Sequence, residues 1–434
     1  MSNNVPYDKS QPGYIANGTT IETEQQSDGS HRQVIKANIT GDHLDAFSRL
    51  RVSNPTGLFD AQFTYDLQPL LFEQVTAETG AAVSHDATNR DAIMTFADTP
   101  TGGSAYMQTY EHFRYQPGKS QQVFVTFNMQ GGVANVLKFA GYSNGTNGIE
   151  FRMNGTTAQL AILSNTDNGN QTVSQSNWDD PMDGSGASGI TLDFTKEQIL
   201  VIDFQALYVG RVRVGWDVDG VLYYCHAFEH ANKTTQAYIA TANLPVRVGM
   251  TCTGTVSTTM HFNCCSVISE GGQDDVSGYS FSAEGTVTAG NGTRTHLLSV
   301  RPNTTFNSIS NRTKFVLDSV DVLVTGNTPI KWELCVGQAI SGTTTFTDVN
   351  ATYSSFEYNT AGTISGTPAI VLASGYVAAT AQSKSVTSAQ ITNRYPITLD
   401  IAGAVRSLGT LTLIVTGLGA TSACRAIFNW HEVR

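Results

Sequence analysis

The chain has 434 residues, 40% of them hydrophobic and only 14% charged, with 40 glycines and a net charge of −11. It is too apolar and too aromatic (20 Phe, 16 Tyr) to be disordered and too poor in Lys, Glu and Leu for helical bundles. The acidic balance excludes general affinity for nucleic acid, which needs clustered Lys and Arg, and attraction to an acidic membrane surface. Strands of Thr, Val, Tyr and Phe between Gly and Asn turns are what this composition builds, so the expected class is all-β.

The start, Met1-Ser2-Asn3-Asn4-Val5-Pro6, lacks the basic and apolar regions of a signal peptide. The most apolar stretch, Ala369 to Ala381, is broken by Ser and Gly and is too short to span a bilayer. Residues 1–55 show neither helical nor strand periodicity over most of their length and read as an extended N-terminal arm that becomes ordered against a neighbouring subunit. Within it, Val34 to Thr40 alternates like a strand and suits addition to a neighbour's sheet. Val34, Ile35, Ile39, Phe47, Arg49 and Arg51 are the candidate assembly residues.

From 56 to 270 the pattern is strand, turn, strand, which predicts a first β-sandwich or jelly-roll domain. Val123 to Phe127 and Ile199 to Phe204 are apolar runs of strand length. Asn154-Gly155 and Asp219-Gly220 each separate two such runs and supply the positive φ of a two-residue type I′ turn. The polar, Gly-rich stretch 271–278 reads as a linker. A second sandwich is expected over 279–434, with a hairpin joining Val320–Thr325 to Ile330–Leu334 across Gly326-Asn327 and with Leu411–Val415 and Ala426–Trp430 as closing strands. The expected fold is therefore two β-sandwich, jelly-roll-like domains preceded by an extended arm.

Six cysteines, none in a C-x-x-C pair, read as buried reduced thiols in strands. His226 and His230 would share a helix face, but in extended chain they lie over about 10 Å apart, so no metal site is expected. Asp217-Val218-Asp219-Gly220 lacks the further oxygen ligands of an EF-hand loop and is explained by its turn. The group Trp178, Asp179, Asp180 and Asp183 could contact a glycan, or serve as glycosidase carboxylates, and no second cluster pairs with it. No nucleophile-elbow, P-loop or Rossmann fingerprint occurs. A chain without enzymatic activity and without a cofactor is the expectation.

Several long stretches carry a resemblance: Asp45 to Pro55 (DAFSRLRVSNP), Tyr115 to Ser120 (YQPGKS), Met182 to Lys196, Val209 to Arg213, Tyr223 to His226, Ser266 to Gly272, Val324 to Asn327, and the ending Phe428 to Arg434. From Asp42 onward the chain resembles structural proteins of tailed-bacteriophage virions; Ser48 stands where similar sequences often carry Gly. The resemblance implies a virion location and a surface component. The leading expectation is an exterior capsid decoration or head-fibre protein anchored by its arm. One alternative is a tail receptor-binding or adaptor protein with a lectin-like jelly roll that contacts host surface glycan. A second is a depolymerase of surface polysaccharide. Expected partners are the chain itself, as a homotrimer, and the major capsid or tail proteins, with no nucleic acid and no membrane.

Overall fold

The computed structural model describes residues 4–6, 20–25, 31–33, 44–51, 54–272, 278–342, 345–379 and 395–434. Among these, the chain is all-β, with one short 3₁₀ turn at Gln175–Asn177 and no α-helix. Asn4–Pro6, Thr20–Gln25 and His31–Gln33 pair as a small antiparallel meander. Val34, Ile35 and Ile39 lie outside the described residues.

Two antiparallel sheets face each other in the first sandwich. One runs, edge to edge, Gln171–Ser174, Thr157–Leu163, Gly148–Asn154, Val136–Ser143, Val246–Cys252, Ser104–Thr109 and Phe72–Ala77. The other runs Val221–Phe228, Val212–Val218, Gln198–Phe204, Ser120–Asn128, Val256–Glu270, Asp91–Thr99 and Ala81–Asp86, with Thr56–Gln62 also paired to Val256–Glu270. Period-two alternation sets the faces. Val123, Val125 and Phe127 point inward and are fully buried, while Gln122, Phe124 and Thr126 face outward. Phe127, Phe151 and Trp216 meet edge-on and stacked at the centre, the geometry aromatic rings prefer. A charge also faces inward, at Lys138, which alternates with Val136 and Ala140 along its strand. Lys138 is fully buried, and its ammonium donates to the carbonyls of Met129 (2.5 Å) and Thr259 (2.9 Å) and to Thr258 Oγ1 (2.9 Å).

A second core gathers residues between Ala283 and Trp430. Its three-stranded sheet runs Tyr279–Ala289, Ser422–Val433, Lys314–Val324; its six-stranded sheet runs Thr347–Asp348, Phe356–Asn359, Thr295–Pro302, Leu411–Gly417, Ile330–Val336, Ile370–Val377. The two sandwiches meet through polar contacts. Glu73 accepts the Ile401 amide (2.8 Å), Lys314 pairs with Glu111 (2.5 Å), and the Arg406 guanidinium lies 3.7 Å from the Tyr110 ring centroid. Burial, with Arg312 nearby, pushes His112 at this junction down to about 3, so it stays neutral there.

Three local expectations need correction. Asp219-Gly220 does form a two-residue turn with both φ positive, but at the other hairpin the loop is Gly155-Thr156. Asn154 pairs with Thr157 and stays in the strand, and only Gly155 takes positive φ, the requirement of a turn with Gly in its first position. Val320–Thr325 and Ile330–Leu334 are not a hairpin. The first pairs with Ser422–Val433 and the second with Ile370–Val377 and Leu411–Gly417, so the Gly326 stretch carries the chain between sheets. Gly326 is needed at that corner, because a Cβ there would lie 2.8 Å from the Ala423 amide nitrogen. Finally, the chain does not stay extended up to residue 55: residues 44–51 are folded onto the first sandwich, with Asp45 and Ala46 buried. Hydrogen bonds to its backbone and a buried carboxylate, described next, hold it there.

Candidate binding groove

Residues 44–51 fold as one tight turn. The Asp45 carboxylate accepts the amides of Phe47 and Arg49 (both 2.9 Å) and pairs with the Arg49 guanidinium at 2.7 Å, an Asx turn reinforced by charge. Leu44 and Leu50 bridge across it. Ser48 sits at its tip with φ 61°. That left-handed conformation costs a non-glycine residue about 1–2 kcal/mol. Ser48→Gly should therefore raise stability, by up to about 1 kcal/mol after the extra entropy of glycine in the unfolded chain, read as a higher denaturant midpoint.

This turn is latched to the outer face of the eight-stranded sheet by Asp203. Its carboxylate is fully buried and takes four donors: Ser120 Oγ (2.8 Å), Tyr224 Oη (2.7 Å), Arg51 Nη2 (2.9 Å) and Arg213 Nη2. Ser120 Oγ in turn accepts the Ala46 amide (3.2 Å). Arg213 donates to the Leu44 carbonyl (2.8 Å) and Arg211 to that of Ala46 (3.1 Å). Arg51 Nε reaches Glu270. Burial works against the Arg51 charge, but Glu270, Tyr224 and Asp203 more than offset it and raise its pKa. Burial, then the negative charge of Asp203, raises the Tyr224 hydroxyl, so it stays a donor.

Beside the latch lies a groove of about 750 Å³, within the range of ligand sites. Phe124, Leu222 and Ile268 give it an apolar floor with Gln122; Leu50, Arg51 and Pro55 wall one side, and Glu270 and Asp217 are among its acidic residues. Asp217 pairs with Ile199, Ile199 with Thr126, and Glu270 with Ser120. The backbone rows of the two acids are therefore separated along the central strand by the length from Ser120 to Thr126, roughly 20 Å at the strand rise. The groove is elongated. Chemically, Asp203 is committed to its four donors, three on Oδ2 and one on Oδ1, whereas Glu270 Oε2 is buried without a hydrogen-bond partner.

Segments 45–51, 115–120, 209–213, 223–226 and 266–272 converge here. Of the candidate assembly residues, Arg49 and Arg51 are engaged within their own chain, and Phe47 lies 4.7 Å beneath the Arg49 guanidinium. Sequence reasoning missed Asp203. The signal was one charge at the outward position of the apolar run Ile199 to Phe204.

The Trp178 group lies elsewhere. Trp178 is buried against Phe151, with Nε1 donating to the Val173 carbonyl, so it presents no open ring face to a sugar. Asp180 accepts the amides of Met182 and Ser188, and Asp183 that of Ser185, all within one loop. These hydrogen bonds hold both carboxyls below their usual range. Asp179 faces His226 at 3.2 Å and accepts the Ala227 amide (2.9 Å). His230 instead turns to the Gly210 carbonyl and stacks on Tyr238. All six cysteines are free, five buried and Cys264 half-buried.

No protein-family model and no curated protein matches the chain. Solved structures do. An endo-1,3-beta-glucanase from Streptomyces sioyaensis is similar with a TM-score of 0.37 and 11% identity, over 54% of this chain and 99% of that one. A carbohydrate esterase from Shiga toxin-encoding bacteriophage phi24B gives 0.31 and 14%, over 50% and 99%. A pseudo beta-1,3-glucanase of Mycobacterium tuberculosis gives 0.32 and 13%, over 49% and 98%. The expectation of a chain without enzymatic activity is corrected by this set, in which endo-1,3-beta-glucanases recur. At these identities and scores the likenesses assign no reaction to this chain.

Proposed function

We propose that this chain is a bacteriophage virion surface protein whose first jelly roll binds polysaccharide of the host surface, with the segment before Leu44 attaching it to the particle. The observation that carries the reading is the elongated groove on the eight-stranded sheet. Its length suits a polymer better than a single small ligand, its floor of Phe124, Leu222 and Ile268 offers apolar contact to sugar rings, and Gln122 and Glu270 offer hydrogen bonds to hydroxyls. The latch supports the attachment half of the proposal. It fixes the point at which the N-terminal segment leaves the sandwich, so a load on that segment is carried by buried charge pairs.

The test is an array of O-antigens, capsules and teichoic acids probed with the purified chain, followed by calorimetry on any polysaccharide retained. Phe124→Ala and Leu222→Arg should each weaken binding at least about tenfold, the order of effect of losing one ring contact or desolvating one charge, without changing the unfolding midpoint appreciably. Binding that survives both substitutions, or no binding across the array, would remove the groove from the function.

A further inference from the structure

Tyr279–Ala289 ends the three-stranded sheet of the second sandwich. It pairs on one side with Ser422–Val433 through 11 consecutive residues without a bulge, and among the described residues no strand pairs with its other side. Sheet edges are ordinarily blunted by charge, proline or irregularity. Lys314–Val324, across the same sheet, carries three charges and a bulge between Leu317 and Ser319, and Val221–Phe228 has its Ala227 amide taken by Asp179. Tyr279–Ala289 has no proline and one charge, Glu284. Its inward Phe281 and Val287 stay half-buried around buried Ala283 and Gly285, while Ser280, Ser282, Glu284 and Thr286 line an exposed outer face.

One segment of the chain, outside the described residues, fits this edge. Residues 34–40 place Ile35, Ala37 and Ile39 at one set of alternate positions and Lys36, Asn38 and Thr40 at the other, the pattern of a strand buried on one side. The segment also ends in the right place. Leu44, four residues after Thr40, bridges Leu50, and the neighbouring Arg51 holds Glu270, from which the chain leaves the first sandwich toward Tyr279. Four residues reach up to about 14 Å, and the eight from Gly272 to Ser280 up to about 29 Å. Residues 34–40 run toward this patch and Tyr279–Ala289 runs away from it, so their pairing is antiparallel. With Thr40 opposite Ser280, Asn38 meets Ser282, Lys36 meets Glu284, and Ile39, Ala37 and Ile35 fall beside Phe281, Ala283 and Gly285. The three apolar residues then continue the inward face, and the cation of the segment meets the anion of the edge. We propose that residues 34–40 of the same chain form the fourth strand of this sheet, tying the two sandwiches together rather than entering a neighbouring subunit.

The test is a pair of cysteines in the full chain. Asn38→Cys with Ser282→Cys should cross-link on mild oxidation, with the joined peptides found by mass spectrometry in a species of 46.5 kDa; Asn38→Cys with Thr286→Cys should not. Hydrogen exchange on the unaltered protein guards against a forced bond: amides of 34–40 and 279–289 should both be protected. Lys36→Glu should speed their exchange about threefold, the order of effect of like charges placed opposite each other, and adding Glu284→Lys should restore it. Cross-linking of both cysteine pairs alike, cross-linked dimers in place of the monomer, exchange of 34–40 at the rate of an unstructured chain, or absence of the rescue overturns the proposal. The polysaccharide array reports on the other sandwich, so its failure leaves this result standing.

Discussion

Asp203→Ala should destabilise the first sandwich by about 3–5 kcal/mol, because it leaves Arg51 and Arg213 as charges without their buried counter-ion. The loss is expected to be local before it is global. Leu44, Ala46 and Arg51 are tied to the sheet through this carboxylate and its neighbours, so protease should cut near residues 44–51 in the variant under conditions that leave the parent intact. Asp203→Asn separates charge from shape: its single amide oxygen can accept on the Ser120 side or on the Tyr224 side but not both, and it cannot neutralise two guanidinium groups, so its stability should fall between those of the parent and the alanine variant. An alanine variant with unchanged denaturant midpoint and cleavage pattern would mean that the latch contributes nothing and that the turn is held by Asp45 alone.

The second large effect is a pH dependence centred on Lys138. Burial pushes its ammonium down to about 8 from an ordinary 10.5. Between those values the folded state has released the proton while the unfolded state still binds it. At this residue the unfolded state therefore holds more protons, and the contribution of Lys138 to stability rises with pH across this interval, by at most about 3 kcal/mol. Burial also raises the thiols of Cys225, Cys265, Cys335 and Cys424 above their ordinary 9.0, so from about pH 9 only the unfolded chain loses those protons and the slope turns negative; Tyr142 and Tyr238 add the same sign above about pH 10. Equilibrium unfolding between pH 7 and 10 should show a stability difference between the parent and Lys138→Met that shifts in the parent's favour as pH rises, on top of the falling slope the thiols give both proteins. Equal slopes in the two would show that the oxygens around the ammonium hold its charge as well as water does.

The fold class was legible because period-two alternation and Gly turns are local signals; the run Val123 to Phe127 declares its inward face without reference to any partner strand. What stayed hidden was set by contacts distant in sequence. Gly326-Asn327 has hairpin chemistry, yet Ser422–Val433 pairs with one of its flanking strands and takes it into another sheet. Trp178 and its aspartates read as a surface site because density of functional groups is visible in sequence, whereas burial of the indole against Phe151, from a different strand, is not. The groove was illegible for the same reason. Arg51, Asp203, Tyr224 and Glu270 come from four separate segments, and only strand register brings them to one guanidinium.

Asp179 has a consequence for how many copies of this protein can be crowded together. Val221–Phe228 ends its sheet, and an outermost strand ordinarily invites another chain to continue the ladder. At Ala227 the amide that would begin such a continuation is already given to the Asp179 carboxylate, and the Cys225 carbonyl to the Asp180 amide. An incoming strand would have to displace a negative charge and give up one hydrogen bond before gaining any. This edge thus carries its own terminator, and concentrated solutions should stay clear of fibrils growing from it as long as that carboxylate is present.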